Sequence, residues 1–212
     1  MKPIEKSGYY NTNNYGRIAL LSYEEVLGKS GLNILLNLAS LSNLIDNYPP
    51  ANMERGFDFA DYTAILVALE EIYGPRGGRG LEIRAGRATF NDILNNFGAM
   101  AGVTDLAFKV LPLQMKIRIG LSQAAKTFSE VSDQTTSLEE TEEAFIWTVH
   151  RCPSCWSRQG EGKPVCHVTV GFLQGSLGWV SGGREFRVNE SKCCAVGDPV
   201  CEYTIQKEPV PV

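Results

Sequence analysis

The chain has 212 residues, of which 43% are hydrophobic and 21% charged, with a formal net charge of −4. This is an ordinary globular composition, able to bury a sizeable core around one main domain with a helical N-terminal extension, and it argues against wholesale disorder. The acidic balance argues against a nucleic-acid partner, because no basic face would meet the phosphates, and RGGRG at 76–80 is too short to reverse it. The opening MKPIEKSGYYNTNNYG lacks an apolar export segment, and no stretch approaches the ~18 apolar residues of a membrane span, so a cytoplasmic protein is expected. In a reducing compartment six cysteines point to metal ligation or buried thiols ahead of disulfides.

From Arg17 to Asn47 the apolar residues recur at helical spacing, with Leu32, Leu35, Leu36 and Ala39 on one face. Two helices split near Gly28 to Gly31 and closed by Tyr48-Pro49-Pro50 fit this pattern. Tyr62, Ile65, Leu66, Leu69 and Ile72 mark a further amphipathic helix, with Asp58 or Asp61 to cap its start and Gly74 to end it. PRGGRG at 75–80 reads as a loop, followed by a helix from Ala88 to Phe97 and a longer one from about Asp105 to Ser129, interrupted at Pro112.

After Val131 the character changes. AFIWTVHRC at 144–152 has the β-branched and aromatic content of a strand. VCHVTVGFLQGSLGWVSGG at 165–183 suits a helix in which Gly171, Gly175, Gly178 and Gly182 form a smooth stripe for close packing on another backbone. REFRVNES and VCEYTIQ read as two strands of a hairpin joined through KCCAVGDP. Helices first, then strand, helix, strand, strand predicts an α+β fold with helices packed on an antiparallel sheet. The expected division is a mainly helical part at 1–130, a core at 131–206 and a tail at 207–212.

The hairpin segment NESKCCAVGDPVCEYTI, 189–205, concentrates possible metal donors. Zinc takes four donors in a tetrahedron, chiefly cysteine and histidine and less often carboxylate. Glu190, Cys193 or Cys194, and Cys201 could clip the hairpin, with a fourth donor from elsewhere.

From about Ala144 to Ile205 the chain resembles the 4-vinyl reductase domain, also called the predicted hydrocarbon-binding domain, through CPSCW, KPVCHVTVGFLQG and VNESKCCAVGDPVCEYTI. The resemblance implies a structural zinc site made by Cys166, Glu190, Cys193 and Cys201. His150, Cys152, Cys155 and His167 form a rival or second set, since CPSC has the spacing of half a zinc site. One carboxylate with three thiolates would leave no open position for water, which makes such a site structural.

The chain has two histidines and no GxxxxGK[ST] loop, and GPRGGRG follows a helix where a dinucleotide fingerprint needs a strand. The glutamates of SLEETEE read as a solvated strand face. Binding is therefore a more economical expectation than catalysis. Phe145, Trp147, Val170, Phe172 and Val188 could line a cavity for a small apolar or aromatic ligand, each being equally at home in the core. The expected role is a sensor or carrier of a small hydrophobic molecule. The family also includes a bacteriochlorophyll-biosynthesis protein and shares its fold with vesicle-tethering subunits. A part in tetrapyrrole vinyl reduction and a structural interaction module are therefore the alternatives. Family regulators that hold a phenolic hydroxyl use an upstream histidine, which this chain lacks before His150, and related folds imply a homodimer.

Overall fold

The structure, a computed structural model, describes residues 3–97, 108 and 110–211. A short strand β1 (Tyr10–Thr12) runs into helix α1 (Asn13–Leu38), and the Thr12 hydroxyl accepts the Tyr15 N–H at its start. Gly28, at φ 73°, breaks α1 where the sequence predicts the split. β1 pairs antiparallel with β2 (Arg55–Asp58), a two-stranded ribbon that the hydrophobic pattern does not disclose because its strands are so short. Asp58 caps the next helix by accepting the Ala60 N–H at 2.7 Å.

That helix, α2 (Phe59–Phe97), departs from the sequence reading. Gly74 breaks it at φ 71° as expected, but PRGGRG is not a loop: the chain is helical again at once and stays so to Phe97. Proline suits a first helical turn, where its missing N–H would have had no partner anyway, so Pro75 starts the second half instead of ending the first. Burial of Glu82, Ala85, Gly86, Ala88 and Thr89 beyond it outweighs the poor helix propensity of three glycines. Helix α3 (Leu113–Val131) starts after Pro112, where an interruption is predicted, while the expected start near Asp105 lies outside the described residues.

The C-terminal part is a four-stranded antiparallel sheet of order β3-β4-β6-β5, formed by β3 (Thr136–Glu140), β4 (Ala144–Val149), β5 (Phe186–Lys192) and β6 (Cys201–Pro209). Helix α4 (His167–Ser181) lies between β4 and β5 in sequence. The α+β architecture and the β5–β6 hairpin are as expected, and β3 adds an edge strand from the polar segment. Strand periodicity sends alternate residues to one face. Cross-strand pairs Phe145–Ile205, Trp147–Tyr203 and Val149–Cys201 are buried there with Ile117, Leu121 and Ala125 of α3 and Leu173 and Leu177 of α4. A second core joins α1 to α2 through Leu20, Tyr23, Leu35, Leu36, Tyr62, Ile65 and Leu69. Gly86 of α2 and Gly171 of α4 let the two helices cross with backbones in near contact, and Gly175 sits against Arg87 and Phe90, as expected for the stripe. Gly178 has no such neighbour, and Gly182, at φ 75°, ends α4 as its C-cap. Among the described residues no helix is long and apolar enough to cross a membrane.

Candidate functional site

Three elements bring five thiols together. The 3-10 turn Pro153–Cys155 follows β4, Cys166 precedes α4 as its N-cap, and the hairpin supplies Cys193 just after β5 and Cys201 at the start of β6. Cys166, Cys193 and Cys201 are fully buried, and Cys152 and Cys155 nearly so. The turn is fixed from the helical side, since the Thr63 hydroxyl donates to the Pro153 carbonyl and Arg158 holds both Glu70 oxygens at 2.8 and 2.9 Å.

Two overlapping four-donor groups each have their ligand atoms within 4.8 Å of one another: Cys166, Glu190, Cys193 and Cys201, and Cys152, Cys155, Cys166 and Cys201. The geometry brings together every member of the family-derived set and adds the CPSC pair. Neither histidine joins either group. His150 is exposed and bonded to the Ser137 hydroxyl, while His167 opens α4 with its pKa lowered to about 4 by burial and by Arg79 and Arg158. Cys194, half-buried, directs its backbone N–H to the Cys201 sulfur at 3.3 Å, and Glu202 pairs with Lys192 at the surface.

The arrangement is able to hold a cation. Burial pushes the Cys166 thiol well up, helped by its hydrogen bonds to the other thiols, whereas hydrogen bonds from Cys152 and Cys166 pull Cys155 down. Glu190 is raised to about 9 by burial and by the charge of Cys193. Its Oε2 accepts the Cys166 N–H at 3.0 Å, and its buried Oε1 has no partner among the described residues. Without a cation these groups cannot ionise together; a divalent ion would neutralise several thiolates at once.

Elsewhere, an apolar cavity of about 420 Å³ opens between the start of α1, the end of α2, α3 and the C-terminal half of α4. Tyr15, Phe90, Leu121, Phe128, Phe172 and Trp179 belong to its aromatic and aliphatic wall, and Lys116 is its one charged lining residue among the described residues. Of the five candidate ligand contacts, Phe172 lines this cavity. Phe145, Trp147, Val170 and Val188 lie in the core beneath it. The walls on α1, α2 and α3 are missed by the sequence reading because the hydrophobic pattern marks a buried face without distinguishing cavity from core.

Comparison with known proteins bears on the hairpin first. Residues 145–207 match the family model of the 4-vinyl reductase domain. Over that segment the chain is similar to this family. The resemblance read from the cysteine motif is thereby borne out. An uncharacterized protein of Methanocaldococcus jannaschii is 25% identical over 171 residues, covering 79% of this chain and 87% of its own. The fold extends beyond the matched segment. A point mutant of T. Tengcongensis H-NOX superposes with a TM-score of 0.60 at 13% identity, covering 94% of this chain and 99% of that one. A structure titled for heme distortion in the H-NOX family gives 0.62 at 11%, covering 95% and 97%. An H-NOX protein from S. oneidensis gives 0.56 at 13%, covering 92% and 98%. At these identities the likeness concerns the fold alone, and it spans the helical part together with the 4-vinyl reductase segment.

Proposed function

We propose that the protein binds a small hydrophobic molecule as a sensor or carrier, with the thiol cluster holding a structural zinc ion. The observation that carries this reading is the aromatic-lined cavity, whose volume and apolar wall suit a ligand of modest size. Fixed polar partners are few there, so shape and apolar contact would dominate affinity.

The cluster supports the second half of the reading. Buried thiolates are the donors zinc prefers, and a closed set without a water position makes a staple. Helix α4 links the two features. Cys166 caps its start, and Phe172, Leu177 and Trp179 farther along line the cavity, ~15 Å away at 1.5 Å per residue from Cys166 to Ser176. An ion that anchors the start of α4 would thereby hold one cavity wall. A change in that wall on ligand binding would be referred to a fixed frame, which suits a sensor.

The heme named in the titles of H-NOX neighbours is a poorer fit. Among the described residues no histidine or cysteine lines the cavity, and its one thioether, Met53, is 49% exposed. Tyr15, which does, donates its hydroxyl to Tyr62 and has its pKa raised by burial, so a phenolate ligand is disfavoured.

Native mass spectrometry of the purified protein tests both halves. One zinc per chain together with a co-purified apolar molecule is expected. Absence of any bound molecule, combined with no binding of the apolar fluorophore N-phenyl-1-naphthylamine, rejects the cavity half. Absence of metal rejects the staple. A homodimer is the assembly proposed, and sedimentation at 23.3 kDa would reject it.

A further inference from the structure

We infer that the ion's four ligands are the thiolates of Cys155, Cys166, Cys193 and Cys201, with Glu190 outside the coordination sphere. The inference rests on the cluster holding an ion at all. A Zn–S bond of about 2.3 Å gives a regular tetrahedron an edge of about 3.8 Å. The sulfur of Cys155 lies 3.2 Å from Cys166, 3.6 Å from Cys193 and 3.4 Å from Cys201. Cys166 lies 4.0 Å from Cys193 and 3.7 Å from Cys201. The remaining edge, Cys193 to Cys201, is within 4.8 Å. These four sulfurs therefore stand as the corners of a tetrahedron of one-ion size, slightly compressed on the Cys155 side.

Each remaining donor has a different task. Glu190 commits Oε2 to the Cys166 N–H, fixing a ligand's backbone from behind, while its buried Oε1, unpartnered among the described residues, is the competitor that the fourth thiolate displaces. Cys152 stands 3.5 Å from the Cys166 sulfur and, with Cys166 a thiolate, is the S–H donor to it. The Cys194 N–H supplies a second hydrogen bond, to Cys201. Such outer contacts orient ligands and tune the metal. A borderline-soft ion offered a fourth thiolate on a rigid turn or a carboxylate already hydrogen-bonded takes the thiolate. The turn's two anchors, from Thr63 and Arg158, keep Cys155 in place beforehand, so the N-terminal helices take part in building the site.

The test uses the full chain loaded with Zn(II) for X-ray absorption and with Co(II) for optical spectroscopy, whose sulfur-to-metal charge-transfer band grows with the number of thiolates. Wild type is expected to give four sulfurs and no light-atom ligand. At saturating Co(II), where a weakened site is still filled, Cys155→Ser should lose at least about a quarter of the band, one thiolate of four. Glu190→Gln and Cys152→Ser should each keep the full band. A wild-type shell of three sulfurs and one oxygen, or a sulfur count that drops in Cys152→Ser, overturns the assignment while leaving the staple standing. Wild type that takes up neither metal overturns both. If Cys155→Ser does not fold, the wild-type sulfur count excludes Glu190 and the band of Cys152→Ser excludes the rival four-thiol group of Cys152, Cys155, Cys166 and Cys201.

Discussion

Gly171 of α4 lies so close to Ile83 of α2 that a Cβ at position 171 would overlap the Ile83 carbonyl oxygen, and a Cβ at Gly86 would likewise overlap the carbonyl of Val168. The two contacts are reciprocal across one helix crossing. Backbone cannot yield as a side-chain tip can, so each alanine would force the helices apart. Gly171→Ala is expected to destabilise the protein by about 1–3 kcal/mol or more, as overpacking does. That corresponds to roughly 2–4 °C in Tm per kcal/mol for a chain of this size. Gly80→Ala is the control: it lies in the same α2, meets no atom within 4 Å, and should stabilise by about 0.5–1 kcal/mol. Thermal melts in which both variants move Tm the same way would refute the crossing as the cause.

Glu82 gives a pH prediction. Its side chain is fully buried on α2, and neither carboxylate oxygen has a partner among the described residues. Burial raises its pKa well above the usual carboxylate range; Glu70 and Glu190 raise it further and Arg158 opposes them. The folded chain therefore keeps this proton after the unfolded chain has released it. Stability is undiminished below the ordinary value of 4.5 and falls as pH rises from there toward the folded pKa. Glu82→Gln mimics the protonated form. It should match wild type near pH 4 and exceed it in Tm by a few degrees at pH 8, at ~2–4 °C per kcal/mol. Parallel Tm curves for the two proteins across that range would sink the assignment.

Cys201 belongs to both four-donor groups, and Cys193 to the one that the family resemblance implies. Apparent binding energies for structural zinc are of order 10 kcal/mol and enter the folding free energy directly. Cys193→Ser and Cys201→Ser should each lose the metal and most of the stability together, and a strong chelator should lower the Tm of wild type but not of either variant. Retention of full zinc by both single variants, measured by metal analysis after gel filtration, would remove them from the site.

The same cluster shows what a sequence can convey. Glu190, Cys193 and Cys201 are close together in the chain, so local spacing and strand direction expose them as a set. Cys155 joins that set through a turn tied down by Thr63 and Arg158, in contacts that span 90 and 88 residues of sequence, and CPSC alone reveals only half a site. The fold behaves likewise. Alternation in 144–149 and 201–205 marks β4 and β6 plainly, whereas PRGGRG carries loop composition and becomes helical only because the turns beyond it pack on α4. Phe172 is legible as a cavity residue because it shares a helix with the cysteine motif. Phe90 and Leu121 are not, being brought to the cavity from α2 and α3 by tertiary packing.

Ala124 lines the cavity from α3 and is partly buried, so a large side chain there fills space instead of displacing core. Ala124→Trp should abolish the fluorescence gain of N-phenyl-1-naphthylamine, at least a tenfold loss of affinity, equivalent to about 1.4 kcal/mol. Tm should change little or rise, since an apolar void is replaced by contact. The zinc content should stay at one per chain, because the cavity wall and the cluster occupy opposite ends of α4. Phe172→Ala enlarges the cavity and should keep binding while costing about 3–5 kcal/mol of stability. Titrations in which Ala124→Trp binds the probe as wild type does would locate the ligand elsewhere, whereas loss of both probe and zinc would mean that the substitution disturbs the fold.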